Sequence, residues 1–331
     1  MITNETVAGI PYLAGAVAVY LDELERRAQG DVRHLSTGLA DLDRTYPGLL
    51  YPGSMTVIGG RPSSGKTTLA QQIAEHAGEL NVTVLIISLE MPHQELLERS
   101  ISRRSGIPVA RLRVATDLAQ EDYERITRVV SQISMLPILV CTANSLTEIL
   151  ARSRAVAAEL AKSGNRLGLI ALDYIQLVNA GGRSGGDRVQ EVSRITRSLK
   201  LLAMELDLPL IALSQLNRGL EQRPNKRPVL SDLRESGSIE QDADSVVFIY
   251  RDEVYNEDSQ DKGTAELIVA KNRHGAVGKT QVAFLPDKLM FADLAHREDF
   301  ARRAEPRSHK AHTPYKPWMR SHESETDSND W

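Results

Sequence analysis

Residues 60–67 read GRPSSGKT and match the pattern G-x-x-x-x-G-K-[ST]. The apolar segment SMTVIGG (54–60) before this stretch is typical of a strand, and TTLAQQIAEHA (67–77) is typical of a helix. Glycines in such a turn let a phosphate approach the backbone N–H groups at the start of the helix, where the helix dipole favours negative charge. The order of strand, loop and helix therefore predicts a nucleotide-binding P-loop rather than a chance glycine-rich turn.

The chemistry of a P-loop assigns tasks to single residues. Lys66 is expected to reach the β- and γ-phosphates, and the hydroxyl of Thr67 is expected to bind Mg²⁺. The predicted nucleotide-binding residues are Gly60, Arg61, Pro62, Ser63, Ser64, Gly65, Lys66, Thr67 and Thr68. This set predicts ATP, or another nucleoside triphosphate, and Mg²⁺ as cofactors.

Outward from the loop, short apolar segments alternate with helical patterns. The apolar segments lie at 83–89, 136–141, 166–177 and 208–216, and helices are expected at 145–162 and 188–207. Continuous apolar strands separated by helices predict an α/β fold with a mainly parallel sheet and helices on both faces. After residue 244, SVVFIYR, AELIVAK, TQVAFL and LMFADL follow with turn-like connections, so we expect antiparallel strands at the C-terminal end.

Three polar side chains stand near the ends of the parallel strands. Asp173 ends LGLIALD, where it can hold Mg²⁺ through water or be an ordinary strand-end acid. Glu90 follows TVLIISL and can act as a general base, or as a surface acid before the helix that starts near Pro92. Gln215 ends LIALSQ, and its amide suits contact with a γ-phosphate or an attacking water. Open α/β folds bind ligands at this sheet edge, so we predict one site.

A pair of cations lies far downstream of the P-loop, in VAKNRHGAVGK (269–279). Lys271 and Arg273 are two residues apart on what reads as a strand, so both side chains point to the same face. On these residues alone, two solvated strand cations are the favoured interpretation.

Over residues 12–294 the chain resembles the DnaB-type replicative DNA helicases, in their RecA-like motor domain. The resemblance is carried, in the family's order, by STGLADLD, GRPSSGKTT, SLEM, LIALDYIQL, ALSQLNRGLEQRPNKRP, SDLRESGSIEQDADSVVFIYRDEVY and KNRHG. It implies a RecA-like P-loop NTPase core and a homo-hexameric ring that encircles one DNA strand. It further implies an ATP-dependent DNA helicase that hydrolyses nucleotide at subunit interfaces and moves 5′→3′.

The resemblance also implies a role for each site residue. The roles are phosphate and Mg²⁺ binding for Lys66 and Thr67, a second metal residue at Asp173, a catalytic base at Glu90, a γ-phosphate sensor at Gln215, and fingers that reach the neighbouring subunit's nucleotide at Lys271 and Arg273. A finger supplied by a neighbour makes hydrolysis depend on a correct subunit interface. With the resemblance, this role is favoured over two solvated cations.

Two segments are candidates for contact with single-stranded DNA. The glycine-rich NAGGRSGGDR (179–188) holds Arg183 and Arg188, although a plain flexible linker is the alternative. In SDLRESGSIE (231–240), the resemblance implies channel-loop positions at Arg234, Glu235 and Gly237. Both segments lack aromatic residues, so we expect backbone contacts with weak sequence preference and strong salt dependence.

The composition indicates which cellular compartment and which binding partners the protein has. A net charge of −4 does not indicate a nucleic-acid binder as a whole, so a DNA site must be a local patch. The single cysteine, Cys141 in the strand-like LPILVC, fits a reducing compartment and reads as a buried residue. The apolar runs are of strand length, so neither a membrane span nor a secretory signal is expected, and the protein is predicted to be cytoplasmic.

Three regions are expected along the chain: 1–36 with a helix at 12–29, the motor domain at 37–295, and a disordered tail at 296–331. The helix either packs on its own domain or docks on a neighbouring subunit. About thirty residues precede STGLADLD, too few for the helical N-terminal domain that many family members carry. Primase binding through that domain is therefore in doubt, and a reduced helicase, such as a mobile element carries, is one explanation.

The tail is first basic and then acidic, and it ends on Trp331. One aromatic residue among carboxylates suits a basic pocket on a replisome protein, and the alternative is a solubilising tail.

Two other functions compete with the helicase. A RecA- or RadA-like recombination ATPase shares the core motifs, but SDLRESGSIEQDAD and KNRHG favour the helicase, and RadA-like chains usually bring a set of zinc-binding cysteines. An ATP-gated scaffold without turnover conflicts with the joint presence of Glu90, Asp173 and Gln215.

Overall fold

A computed structural model describes residues 6–7, 10–11, 13, 15–29, 33–181, 188–233 and 236–294 of the chain. The described residues before Arg33 belong to a unit of their own. In it, β1 (Thr6–Val7) pairs antiparallel with β2 (Ile10–Pro11), and α1 (Gly15–Ala28) follows. The predicted helix at 12–29 is therefore present, and apolar side chains of its pattern are exposed in the single chain: Leu13, Val17, Tyr20, Leu21 and Leu24.

The larger unit is built on a nine-stranded sheet, counted over the described residues. Its strands are β3 (Met55–Gly60), β4 (Thr83–Ser88), β5 (Ile138–Cys141), β6 (Leu167–Asp173), β7 (Leu210–Gln215), β8 (Ser245–Tyr250), β9 (Thr264–Asn272), β10 (Gly278–Leu285) and β11 (Met290–Asp293). The spatial order is β11-β10-β9-β8-β3-β7-β6-β4-β5. Pairings from β8 to β5 are parallel, whereas β9, β10 and β11 are antiparallel to their neighbours. The predicted fold class is confirmed, except that SVVFIYR (β8), expected among the antiparallel strands, pairs parallel with β3 and is the last parallel strand.

Helices connect and cover these strands. They are α2 (Ala40–Thr45), α3 (Lys66–Glu79), α4 (His93–Ser105), α5 (Val109–Val114), α6 (Gln120–Ser134), α7 (Leu146–Lys162), α8 (Arg188–Leu206) and α9 (Ser236–Asp242). The helices predicted at 145–162 and 188–207 are α7 and α8. The first of them starts where it does because the hydroxyl of Ser145 accepts a hydrogen bond from the Glu148 N–H, which caps the helix. No helix in the described ranges is long and apolar enough to cross a lipid bilayer.

The apolar core lies on both faces of the sheet, because neighbouring residues of one strand point to opposite sides. Leu85 and Ile87 of β4 belong to the buried cluster that includes side chains of α7 and α8. Ile86, between them, instead lines a small cavity with Ala70 of α3 and Leu96 of α4. The sheet is thus sandwiched between helices, as the continuous apolar strands predict.

Two details of the strands differ from the sequence predictions. Cys141 is half-buried rather than buried, since β5 pairs on one side only and forms the sheet's edge. The segment 166–177 is not one strand: β6 ends at Asp173, and Ile175–Leu177 form a single 3₁₀ turn. This early end lets the chain turn over the sheet edge directly after Asp173.

Candidate functional site

The predicted P-loop lies between the end of β3 and the first turn of α3, which starts at Lys66. Gly65 has a φ of 103°, and a Cβ atom there would lie 2.8 Å from the ring of Phe291 in β11. A Cβ atom on Gly60 would lie 2.3 Å from the Ser64 hydroxyl. Gly65 therefore requires glycine, and a side chain at position 60 would displace the Ser64 hydroxyl. The Ser64 hydroxyl is buried without a protein partner, which fits a loop built to receive a ligand.

The Lys66 ammonium group is held inside the loop. Its Nζ donates to the carbonyl oxygens of Gly60 at 2.9 Å and Arg61 at 3.1 Å. Burial lowers the pKa of Lys66 to about 8, against the opposite effect of the carboxylates of Asp173 and Glu90. A partly desolvated cation in an enclosed loop is an arrangement that phosphate oxygens complete.

Thr67 and Asp173 form the candidate metal site. The Thr67 hydroxyl donates to Oδ2 of Asp173 at 2.7 Å, and Asp173 is buried. Burial raises the pKa of Asp173, the Thr67 hydrogen bond lowers it, and Glu90 raises it again. A hydroxyl and a carboxylate oxygen fit Mg²⁺, and a cation would relieve the cost of a buried negative charge.

Within the described ranges, no group of three or more His, Cys, Asp or Glu side chains could hold a metal ion. The Thr67–Asp173 pair therefore suits an ion that phosphate oxygens and water also bind, as is usual for Mg²⁺ at nucleotide sites.

Glu90 lies beyond the end of β4 and is exposed. The N–H of the preceding Leu89 donates to the Asp173 carbonyl at 2.8 Å, and the Ser88 hydroxyl holds the turn by donating to the Met91 carbonyl at 2.6 Å. The turn therefore places Glu90 at the same sheet edge as Asp173, and its charge acts on the pKa values of Lys66 and Asp173.

Gln215 is the last residue of β7 and aligns with Gly60 in the parallel register. The backbone N–H of Gln215 donates to Oε1 of Gln176 at 3.2 Å, and Nε2 of Gln176 donates to the Ser214 hydroxyl at 2.9 Å. Sequence reasoning missed Gln176, which it counted within an apolar strand. An amide within the otherwise apolar IQL, just past Asp173, was the available signal.

Two arginines hold the loop in place, Arg61 of the loop itself and Arg251, which follows β8. Arg61 donates to the Leu216 carbonyl at 3.0 Å and pairs with Glu221 at 2.7 Å. Arg251 donates to the Ser63 carbonyl at 3.2 Å and lies over the Phe284 ring, 4.1 Å from its centroid. Sequence reasoning did not select Arg251, because its contact depends on the position of β8 beside β3.

Lys271 and Arg273 lie together, but not in the same element. Lys271 is in β9 and donates to the Glu240 carbonyl at 2.5 Å. Arg273 follows the end of the strand, donates to the Gln241 carbonyl at 2.8 Å, and contacts the buried carboxylate of Asp244 at 3.3 Å. Both cations therefore meet the C-terminal end of α9, where the helix dipole favours positive charge.

This cation pair lies at the end of the sheet opposite to the P-loop. Asn272 of β9 pairs with Ser245 at the start of β8, and Ser245 aligns with Thr56 near the start of β3. The P-loop begins beyond Gly60, at least about 13 Å further along β3 at the usual rise per residue. The structure therefore does not bring Lys271 and Arg273 to the P-loop of their own chain.

The predicted DNA-contacting residues are described only in part. Arg188 is the first residue of α8 and donates to the Gln176 carbonyl at 2.8 Å. Gly237 is an exposed position of α9, and a Cβ atom there would meet nothing within 4 Å. Arg183, Arg234 and Glu235 lie outside the described residues, as does the predicted tail at 296–331.

Comparison with protein families shows that residues 34–293 match the DnaB-like helicase C terminal domain. The chain is 43% identical over 282 residues to the "Replicative DNA helicase DnaB" of Geobacillus stearothermophilus, which is 84% of this chain and 61% of the relative. It is 41% identical over 284 residues to the "Replicative DNA helicase DnaC" of Bacillus subtilis, which is 85% of this chain and 61% of the relative.

Solved structures agree with this match. One solved chain, described as an ATPase domain, superposes with a TM-score of 0.78 at 34% identity, over 86% of this chain and 99% of that one. A chain described as "The Structure Of A DnaB-Like Replicative Helicase And Its Interactions With Primase" gives 0.77 at 35% identity, over 86% of this chain and 67% of that one.

The chain spans 61% of the length of each of these two curated relatives. The P-loop, the polar strand ends and the cation pair all fall inside the matched residues 34–293. This chain belongs to the family of the DnaB-like helicase C-terminal domain.

Proposed function

We propose that this chain is the motor of a ring-forming, ATP-dependent replicative DNA helicase. One observation carries the proposal: the predicted catalytic groups are divided between the two ends of one sheet. At one end the Thr67 hydroxyl donates to Asp173, whose charge acts on Lys66, and Lys271 and Arg273 lie at the other end. A nucleotide site that needs both sets must be shared by two copies of the chain.

In the proposed reaction, Lys66 holds the β- and γ-phosphates, and Thr67 with Asp173 holds Mg²⁺. The Mg²⁺ ion, when bound, neutralises charge on the phosphate oxygens. Glu90 orients the attacking water and accepts its proton, for which an exposed carboxylate beside the phosphate loop is suited. Gln215 contacts the γ-phosphate or that water through its amide, at the strand end next to β3.

Lys271 and Arg273 of one copy serve the nucleotide of the next copy. A guanidinium group stabilises the charge that develops on a transferring phosphoryl group, and such a finger is worth roughly 10³–10⁵ in rate where it was measured. In the single chain, both cations donate to carbonyl oxygens at the end of α9. A phosphate group is a stronger hydrogen-bond partner than a carbonyl oxygen, so both cations gain by moving to a neighbour's nucleotide.

Single-stranded DNA is the proposed substrate, with homo-hexameric assembly around it and movement in the 5′→3′ direction. Arg188 and Gly237, with Arg183, Arg234 and Glu235, are the proposed contacts. Docking of a replisome protein on the acidic residues before Trp331 is part of the same proposal, and primase is not included as a partner. The single, half-buried Cys141 favours the cytoplasm as its compartment.

A strand-displacement assay on a forked duplex tests the proposal. The full chain with ATP and Mg²⁺ is compared with Lys66→Ala and Arg273→Ala. Displacement by the unsubstituted chain alone is the expected result. Displacement by either variant at the normal rate contradicts the assigned roles, and pairing of homologous strands without displacement favours a RecA- or RadA-like recombination ATPase.

A further inference from the structure

Gln176 is in contact with three parts of the molecule that the proposed function must connect. Its side chain contacts the end of β7, its backbone follows the candidate metal residue Asp173, and its carbonyl contacts α8. We propose that Gln176 is a positioning residue that links the proposed γ-phosphate sensor Gln215 to Arg188, the proposed DNA contact at the start of α8. This inference rests on the proposed function.

The side-chain amide of Gln176 continues the hydrogen bonding along the edge of β7 beyond the end of β6. The pairing of β6 with β7 ends at Leu172 and Ala212, so the next residues of β7 extend past β6. The Gln215 backbone N–H can only donate, which fixes Oε1 of Gln176 opposite it, at 3.2 Å. Nε2 then faces the fully buried Ser214 hydroxyl, at 2.9 Å. Gln176 therefore holds the part of β7 that carries the sensor.

The main chain of Gln176 is connected to the segment proposed to contact DNA. Its carbonyl accepts a hydrogen bond from Arg188 at 2.8 Å. Arg188 also forms an ion pair with Glu191, and Glu191 accepts a hydrogen bond from the Ala180 N–H at 3.0 Å. Residues on both sides of 182–187 are thus joined through one short network that ends on Gln176.

The connection between these contacts is short and rigid. Gln176 lies in the 3₁₀ turn Ile175–Leu177, and Ile175 is fully buried, so the turn is anchored to the core. We therefore expect a displacement of the end of β7 by a γ-phosphate to pass through this turn as a unit, and so to reach Arg188, the partner of the Gln176 carbonyl. By linkage, DNA binding and nucleotide binding must then change each other's affinity by the same factor.

The test measures that factor directly. The dissociation constant for a fluorescent single-stranded oligonucleotide is measured with and without a non-hydrolysable ATP analogue, and the ratio is the coupling. Gln176→Leu removes both side-chain hydrogen bonds, and we expect the ratio to fall at least about fivefold, the lower range of such couplings. Gln190→Leu, at an exposed position on α8, is the matched control and should keep the ratio.

A double substitution separates a link from a general loss of structure. If the coupling passes through Gln176, the ratio in Gln176→Leu with Arg188→Ala falls no further than in the more affected single variant. Ser214→Ala removes only the Nε2 contact and gives an intermediate ratio, which serves if Gln176→Leu fails to fold. A multiplicative double loss, or an unchanged ratio in the folded single variants, overturns the inference. Absence of any DNA binding by the unsubstituted chain contradicts the proposed function itself.

Discussion

The two ends of the central sheet differ in how much of their chemistry one chain can complete. At the P-loop end, Lys66 and Thr67 begin α3, and Asp173 ends β6. The Thr67 hydroxyl donates to Asp173, and the Asp173 charge acts on the pKa of Lys66. At the opposite end, Lys271 and Arg273 contact the chain's own carbonyl oxygens and Asp244. Under the proposed function, the first end binds the nucleotide of its own chain, and the second supplies cations to the nucleotide of another copy.

The charged groups at the two ends of the sheet also differ in how much of their surface is exposed to solvent. The Asp173 carboxylate and the Lys66 ammonium group are largely enclosed, whereas half of the Arg273 side-chain surface is exposed. Enclosed charges gain from a ligand because they have lost water, and an exposed guanidinium can still move to a partner. The comparison therefore predicts that substitutions at the two ends fail in different ways.

Arg273→Ala should give the largest effect, a fall in ATP turnover of about 10³-fold or more with nucleotide binding kept. Because the proposed role is in trans, an equal mixture with Lys66→Ala should recover activity. Random head-to-tail assembly gives an intact P-loop facing an intact finger at about a quarter of the interfaces. Steady-state ATPase after subunit exchange measures this, and no recovery would mean that Arg273 acts within its own chain.

Glu90→Gln should lower turnover by about 10²–10⁴-fold, the usual range for a general base, with little change in the KM for ATP. For this variant, mixing with Lys66→Ala should not recover ATPase activity. Glu90 and Lys66 belong to the same end of the sheet, so an equal mixture of Glu90→Gln with Lys66→Ala contains no complete site. Recovery in this mixture would contradict the assignment of Glu90 to its own chain's nucleotide.

Gly65→Ala should have a smaller effect, confined to the P-loop end. The added Cβ atom combines a φ of 103° with a 2.8 Å contact to Phe291, and such strain costs about 1–3 kcal/mol. We expect nucleotide affinity to fall about 10- to 100-fold, measured by titration calorimetry. Phe291→Leu in the same chain should recover part of the affinity, and a normal affinity in Gly65→Ala alone would show that the loop relaxes.

The smallest predicted effect is the uptake of protons when nucleotide binds. Since the pKa of Lys66 is lowered to about 8, its ammonium form is about half populated at pH 8 before nucleotide binds. Phosphate oxygens favour the charged form and raise this pKa, so binding of MgATP takes up about half a proton at pH 8.

Calorimetry of nucleotide binding in two buffers of different ionisation enthalpy measures the number of protons taken up. Uptake should decline as the pH falls below 8, because Lys66 is then already charged. Arg273→Ala is the control, since its substitution lies at the other end of the sheet and should leave the uptake unchanged. Proton release at pH 8 would contradict the lowered pKa.

Much of the fold was predictable because its signals are local. GRPSSGKT with its flanking strand and helix gives the P-loop, and Asp173 and Gln215 stand at the ends of continuous apolar strands. Parallel strands bring such ends together without further information. The apolar pattern and the connections predicted a parallel body and antiparallel C-terminal strands, but they placed SVVFIYR among the antiparallel strands, whereas it pairs parallel with β3.

The remaining features depend on which strands are neighbours in the sheet. The spacing of motifs along the sequence does not give this spatial order. The contacts of Arg251 with Ser63 and Phe284 arise from the order of β8, β9 and β10 beside β3. The exposed edge of β5 follows from its last position in the sheet, so its apolar sequence predicted a more buried Cys141. Gln176 was missed because its amide replaces a ladder bond, which only the register reveals.

The reversal of chain direction between β8 and β9 has a consequence for symmetry. It places Lys271 and Arg273 at the end of the sheet opposite to the P-loop, so the proposed function requires a head-to-tail contact between subunits. Copies joined in this way all point the same way around the assembly, which closes as a ring or continues as a helix. A closed ring of this kind has two unlike faces, so DNA threaded through it as proposed would have a distinct entrance and exit. The antiparallel pairing of β8 and β9 would therefore make the two directions along the DNA inequivalent.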